Sequence, residues 1–378
     1  MDKKTLITGG LLLDKASGLL ASSKDILVSN GRIEKIADRI EPQADWERLT
    51  LHGEYVSAGF IDTHAHLYTA TGLGVHADDI GHNTGVTTIF DAGSAGPENL
   101  DDFIARDIKT SQTRVLSAMH FVKTGLLHTP EANAPDKYDI AEAAKAVESH
   151  RDVVVAIKAR ASNSTVGSMG IVPIRAAKEL AKQVGLPLMV HIGNPPPTIE
   201  EVLDLMEAGD VITHAFHGKV NGLLENGVIK EATQRARERG VRFDVGHGVA
   251  SFNFHTARAA FSQDFTPDTV STDLHSRNIN GPVYSLPRTM DKMLALGIPL
   301  VDCVDMVTGR VAEIYKLAER GLGQLTEGAL AELTIFRLAD GRHEYVDADG
   351  NSIQGNQYID VAGVFVGDRL ISRKKEEV

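Results

Sequence analysis

The sequence predicts an α/β fold: a closed parallel barrel of eight βα units with a smaller β unit beside it. Three observations lead there. Apolar strand-like runs alternate with helical patterns of about ten to fifteen residues through the middle of the chain, the signature of repeated βα units. Short strand-and-turn segments occupy both ends. The chain has 378 residues, more than the roughly 250 such a barrel takes, so a satellite unit fits as well.

Taken in order, Thr5 to Ile7, Leu11 to Leu13, Asp25 to Ser29, a tight turn at Asn30-Gly31, Arg32 to Ala37 and Tyr55-Val56 read as short strands and turns. At Ala58-Gly59 the chain changes character. Barrel strands are expected at Phe60 to His66, Val86 to Asp91, Thr113 to His120, Val153 to Lys158, Pro187 to His191, Val211 to His214, Val241 to His247 and Thr269 to Asp273. Helices are expected at Glu98 to Lys109, Ile140 to Ser149, Ile171 to Val184, Ile199 to Glu207, Val228 to Arg239, Phe254 to Phe261 and Leu286 to Leu296. Gly185 and Gly240 stop two of them, and Thr198 caps a third after the stiff Pro195-Pro196-Pro197 run. Two longer loops, Phe121 to Asp139 and Arg160 to Gly170, are expected to wall or cover the site. Glu332 to Phe336 and Val361 to Phe365 return to short strands, so the two chain ends can pair into one sheet.

Composition narrows the function classes. Hydrophobic residues at 42% and charged residues at 24% are the balance of a packed globular protein. A formal charge of −12 disfavours partners bound by neutralising phosphates, so neither nucleic acid nor an anionic membrane is an expected partner. The single cysteine, Cys303, excludes an intrachain disulfide and reads as a small buried hydrophobe. No secretory pattern opens the sequence and no apolar run reaches membrane-spanning length, so a cytoplasmic location is expected.

In a parallel barrel the chemistry gathers on the loops at the carboxyl ends of the strands. Those ends carry His64 and His66, Asp91, His120, Lys158, His191, His214, His247 and Asp273. At any single position a satisfied buried histidine or a capping aspartate is the commoner outcome. Metal-capable or proton-transferring side chains at every strand end point instead to a metal site. His64 and His66 are two apart, which on a strand puts both imidazoles on one face.

Asp62-Thr63-His64-Ala65-His66, Ile157-Lys158, Val190-His191, Thr213-His214 and Ser271-Thr272-Asp273 together resemble the amidohydrolase superfamily, nearest its dihydroorotase-like and deacetylase branch. The resemblance covers nearly the whole chain. It implies a TIM barrel over 59–322, with 1–58 and 323–378 forming one small β-sandwich. It also implies two divalent metal ions, with zinc first among those the ligand set accepts. His64, His66 and Asp273 would hold the more buried ion, His191 and His214 the more exposed one, and carboxylated Lys158 would bridge both. Lysine is ordinarily a cation, but a barrel interior that lowers its pKa frees the amine to become a carbamate.

Such a pair of ions lowers the pKa of a shared water and polarises a carbonyl under attack. The implied reaction is amide or ester hydrolysis by a bridging hydroxide, with Asp273 as general base. Arg160, two residues past Lys158, is the candidate for gripping a substrate carboxylate. His120 and His247 are candidates to orient an acyl oxygen or support ligands; Tyr68, Asn194 and Arg277 are weaker ones. Tyr68 stands where dihydroorotases carry an arginine, and Leu274-His275-Ser276 stands where they carry His-Ala-Pro-His. The expectation is therefore deacylation, such as deacetylation, of a small N-acyl or O-acyl carboxylic acid. Cyclic amide hydrolysis is the alternative, and a non-catalytic binding or assembly protein on the same fold is the alternative of another class. Self-association into a homo-oligomer is common in the superfamily, with no interface signature in this sequence.

Overall fold

The structure is a computed structural model that describes residues 3–372. Seven parallel strands follow one another in chain order: Phe60–Ala65, Val86–Asp91, Arg114–His120, Val154–Ala161, Leu188–Ile192, Val211–Thr213 and Arg242–Phe243. The expected eighth strand forms no regular run; it pairs at single points, Thr269 with Asp244 and Leu274 with Ala65. Hydrogen bonds nonetheless line both its sides. Val245 N donates to Thr269 O (3.1 Å) and His247 N to Ser271 O (3.1 Å), while Asp273 N donates to His64 O (2.6 Å) and His66 N to Leu274 O (2.8 Å). The 269–274 segment thus closes the barrel between its seventh and first strands, and closure leaves no exposed sheet edge.

The irregularities cluster at this closure. The seventh strand stops at Phe243 rather than His247 because Gly246 and Gly248 take φ of +47° and +56° and turn the chain. Asp273, at φ +53°, leaves the β region and interrupts the ladder. The first strand ends at Ala65, so His66 departs from the following loop rather than from the strand itself.

Successive strands contribute Ile61, Phe90, Ala118, Ala156, Met189 and Val211 to one buried cluster inside the barrel, joined by Val311, Tyr315 and Leu317 from the chain after it. A larger cluster joins alternate strand residues to the surrounding helices. Helices Ile140–Ser149 and Phe254–Phe261 form as expected. Val172–Val184 ends at Gly185 in the left-handed conformation, and Thr198 and Glu201 make a reciprocal capping box on Ile199–Leu205. Other expectations shift. The helix expected from Val228 begins at Glu231, since Val228–Ile229 pairs with Leu224–Glu225. The one expected at Glu98 to Lys109 is a short α-turn, Leu100–Phe103, running into a π-helix, Ile104–Ile108. Leu300–Asp305, which buries Cys303, and Gly309–Ile314 are additional helices. The fourth strand runs on to Ala161 and is followed by helix Asn163–Val166, so most of the second expected loop is ordered structure. No helix among the described residues is long and apolar enough to cross a membrane.

Two sheets built from the chain ends stack beside the barrel. One holds Lys4–Thr8, Asp25–Ser29, Arg32–Ala37 and Glu47–Thr50; the other orders Arg369–Ser372, Ser352–Val366, Glu332–Val346, Tyr55–Ala58, Leu11–Asp14 and Leu19–Ser23. Ile7, Ile26 and Ile33 from the first meet Leu12, Val56, Leu333 and Phe365 from the second in a single core. The strands expected at Glu332 and Val361 are far longer than anticipated, each 15 residues in one hairpin. Its distal half, with Asp340, Arg342 and Glu344, lies outside the expected strands, yet Tyr345, Ile353 and Ile359 are buried. Helix Leu286–Ala295 supplies the missing partner: Asp291 accepts the Ile359 N–H at 2.8 Å.

Thr334 links the two units at the amino end of the first barrel strand. Its hydroxyl donates to Gly85 O (2.7 Å) and accepts from Phe60 N (3.0 Å), all buried. Thr334→Val keeps the shape and strands both groups. A loss of about 1–3 kcal/mol is expected, read as a lower urea midpoint.

Candidate metal centre

Six side chains at the carboxyl ends of the strands converge. His64, His214 and Asp273 present ligand atoms that all lie within 4.8 Å of one another. Asp273 Oδ1 stands 3.1 Å from His66 Nε2 and 3.4 Å from His64 Nε2. The Lys158 amine is 3.1 Å from His64 Nε2, and the His191 ring lies 4.5 Å from that of His214. His214 thus sits with His64 and Asp273 in the tightest group, while His191 touches the cluster through His214.

The backbone aims these groups at some cost. His214 and Asp273 both take positive φ, +63° and +53°, a conformation that costs an L-residue about 1–3 kcal/mol unless its surroundings enforce it. Thr213 Oγ1 gives its proton to Asp244 Oδ2 (2.7 Å), so its oxygen receives the Nδ1–H of His64 (2.9 Å) and leaves the Nε2 lone pair free. Gly246 O receives the Nδ1–H of His214 (2.6 Å) with the same result. His66 Nδ1 meets Ser94 Oγ at 2.9 Å, and Asp91 in turn accepts Ser94 N at 2.7 Å.

Burial sets the protonation states. It drives His64 and His191 well below the ordinary imidazole range and His214 to about 3, so these rings are neutral and able to act as ligands. The same cause lowers Lys158 to about 7, against the partial opposition of Asp273. Burial favours a protonated Asp273, but the hydrogen bond with His66 Nε2 at 3.1 Å opposes it, and the carboxyl lies well below its usual range. Neutral imidazoles with free Nε2 lone pairs, an ionised carboxylate and an amine poised to lose its proton fit a divalent-cation site.

The other expected residues divide. Arg160 NH1 approaches Glu131 Oε1 at 3.2 Å, so it pairs with a glutamate of the 121–139 loop. His120 is fully buried, and its Nδ1 accepts Val122 N at 3.1 Å. His247 spends both nitrogens on the protein, Nδ1 on Gly248 O (2.9 Å) and Nε2 on the Lys292 amine (2.7 Å), which places it in the supporting framework. Tyr68 turns its hydroxyl to Asp102 at 2.7 Å. Asn194 and Arg277 are exposed.

Sequence reasoning gave no supporting role to Asp62, Thr213, Asp244, Glu131 and Lys292, which form the framework. Two left a trace, since Asp62 and Asp244 are aspartates inside otherwise apolar strand runs, where an unpaired carboxylate is costly. The others come together only through the fold.

The sequence profile described as the amidohydrolase family matches residues 55–371. A protein of Enterococcus faecalis named a deacetylase is 35% identical over 370 residues, covering 95% of this chain and 98% of its own. A crystal structure titled an adenine deaminase superposes with a TM-score of 0.93 at 34% identity, covering 98% of this chain and 100% of that one. Another, titled a dihydroorotase, gives 0.87 at 30%, covering 98% and 97%.

Gly248 carries a prediction for this geometry. A Cβ there would lie 2.5 Å from Asp273 Oδ2, on a backbone already at φ +56°. Gly248→Ala is expected to displace that carboxylate and to destabilise the fold by about 1–2 kcal/mol from the backbone alone. The checks are a denaturant titration and the metal content after zinc loading, which should fall below that of the parent protein.

Proposed function

The chain belongs to the amidohydrolase family, a hydrolase family, and on that premise we propose that it removes an acyl group, such as acetyl, from a small acid by metal-assisted hydrolysis. The observation that carries this reading is the convergence of Asp273, His64, His66, His214 and Lys158 at one point, with His191 beside His214. Those six side chains would hold two divalent cations, zinc first among them, with Lys158 as the bridge after carboxylation. Bound there, the cations supply an activated water and polarise the acyl carbonyl. Lys158, lowered to about 7, has a large neutral fraction near neutrality, and a neutral amine adds carbon dioxide with release of one proton.

The protein's own groups do the rest. Asp273, ionised and 3.1 Å from His66 Nε2, takes the proton of the attacking water and passes it to the leaving nitrogen or oxygen. Thr213 and Asp244 hold the His64 ring in the orientation that presents Nε2. Arg160, with Glu131 against it, stands at the end of the fourth strand to meet the acid's carboxylate.

Three similar proteins bear three different names, so the choice among reactions rests on the residues. The end-to-end likeness to a named deacetylase supports acyl removal. Tyr68 bonded to Asp102 is no substitute for a carboxylate-gripping arginine, which argues against ring opening of dihydroorotate. A deaminase of this superfamily would carry a glutamate proton donor where Gly193-Asn194 stands.

Metal-loaded protein is expected to release acetate from one or more N-acetyl or O-acetyl acids and to leave dihydroorotate, hydantoins and adenine unchanged, followed by chromatography of the products. Ring opening or ammonia release from adenine instead would overturn the reading. Asp273→Asn is expected to lower kcat about 10²–10⁴-fold. Thr213→Val, which unpairs His64 Nδ1, is expected to weaken metal affinity about 10–100-fold in chelator competition.

A further inference from the structure

Beside the metal ligands lies the densest group of unsatisfied buried polar atoms among the described residues. Glu131 Oε1, Glu131 Oε2 and His120 Nε2 are all buried without a hydrogen-bond partner. Because His120 Nδ1 accepts from Val122 N, the ring proton resides on Nε2. That donor lies 3.9 Å from Glu131 Oε1, too far for a hydrogen bond. Arg160 NH1 reaches the same oxygen at 3.2 Å, close enough for an ion pair but misaligned for a hydrogen bond. A buried carboxylate so poorly solvated is costly, and burial raises the Glu131 pKa despite Arg160.

The group is contiguous with the site. A Cβ on Gly93 would lie 2.8 Å from Lys158 Cβ and 3.1 Å from His120 Cδ2, so lysine and histidine pack against the same glycine. Glu131 arrives from the 121–139 loop, which is held to helix Asn163–Val166 where Ala132 N donates to Thr165 O at 3.1 Å. Two donors and one enclosed acceptor therefore form one group that reaches Lys158 through His120. A small acid with a carboxylate satisfies Arg160 and His120. Only a substrate that also brings a hydrogen-bond donor satisfies Glu131.

We propose that Glu131 is a specificity-determining residue that accepts the amide N–H of the substrate, so that this site is built for N-acyl amino acids over O-acyl hydroxy acids. The inference rests on the deacylase reading and selects within it. An amide offers the N–H; the ester of the same skeleton has none. A site that carries a buried acceptor discriminates strongly against a ligand unable to fill it.

The test compares each N-acetyl amino acid with the O-acetyl 2-hydroxy acid of the same side chain, using metal-loaded parent protein, Glu131→Ala and Glu131→Gln. In Glu131→Ala, kcat/KM for the amide is expected to fall about 10–100-fold further than kcat/KM for the ester. Glu131→Gln keeps an acceptor oxygen and is expected to recover most of the amide activity. Equal losses on both substrates would reduce Glu131 to a structural residue and overturn the inference, as would a parent protein that cleaves only esters. Failure of the parent to cleave either bond would overturn the deacylase reading itself. Thermal melting of both variants, expected at or above the parent Tm, guards against misfolding.

Discussion

The carboxylate of Asp62 ties the two ends of the barrel together. It accepts Thr272 Oγ1 (2.6 Å), Thr272 N (3.1 Å) and His64 N (3.3 Å), joining the first strand to the segment that replaces the eighth. Burial raises its pKa to about 7, and these three bonds pull against that rise. Without a regular ladder on the closing segment, such side-chain bonds take over part of the work of strand pairing. The arrangement lets Asp273 leave the strand at the point where its carboxylate must face the histidines, so closure of the fold and construction of the site depend on the same few residues.

Asp244 performs the corresponding task on the other flank. Thr213, Thr269 and Ser271 all donate to it, at 2.7, 2.7 and 2.6 Å, uniting the sixth strand, the seventh and the closing segment. These neutral hydroxyls satisfy the buried carboxylate without an ion pair. The Gly246-His247-Gly248 turn adds the last constraint. Its carbonyls hold the Nδ1 protons of His214 and His247, and Lys292 pins the His247 ring from the outer helix. The clustered histidines are thus oriented by neighbours whose own hydrogen bonds are nearly complete, while Glu131 and His120 Nε2 lack partners.

Much of this was legible in the sequence. Strand and helix periodicity placed seven of the barrel strands and most of the helices, because alternating burial is imposed locally by the two faces of each element. The residues His64, His66, Lys158, His191, His214 and Asp273 stood out as a set, because metal-capable or proton-transferring side chains end every expected barrel strand and their order resembles that of the amidohydrolase superfamily. The distal hairpin half was not legible: its charged residues break the apolar alternation of a strand, and the helix against which Tyr345 and Ile359 pack is some fifty residues or more away in the chain.

What the sequence by itself determined is the alternation of elements and the inventory of groups at the strand ends, since both follow from local periodicity and residue type. What only the tertiary structure decided is which groups meet. It withdrew His247 to Lys292 and Tyr68 to Asp102, set Glu131 against Arg160, and put Asp62 and Asp244 behind the histidine cluster. Each of those pairings joins residues distant in sequence, and the direction of a buried side chain depends on the partner that satisfies it.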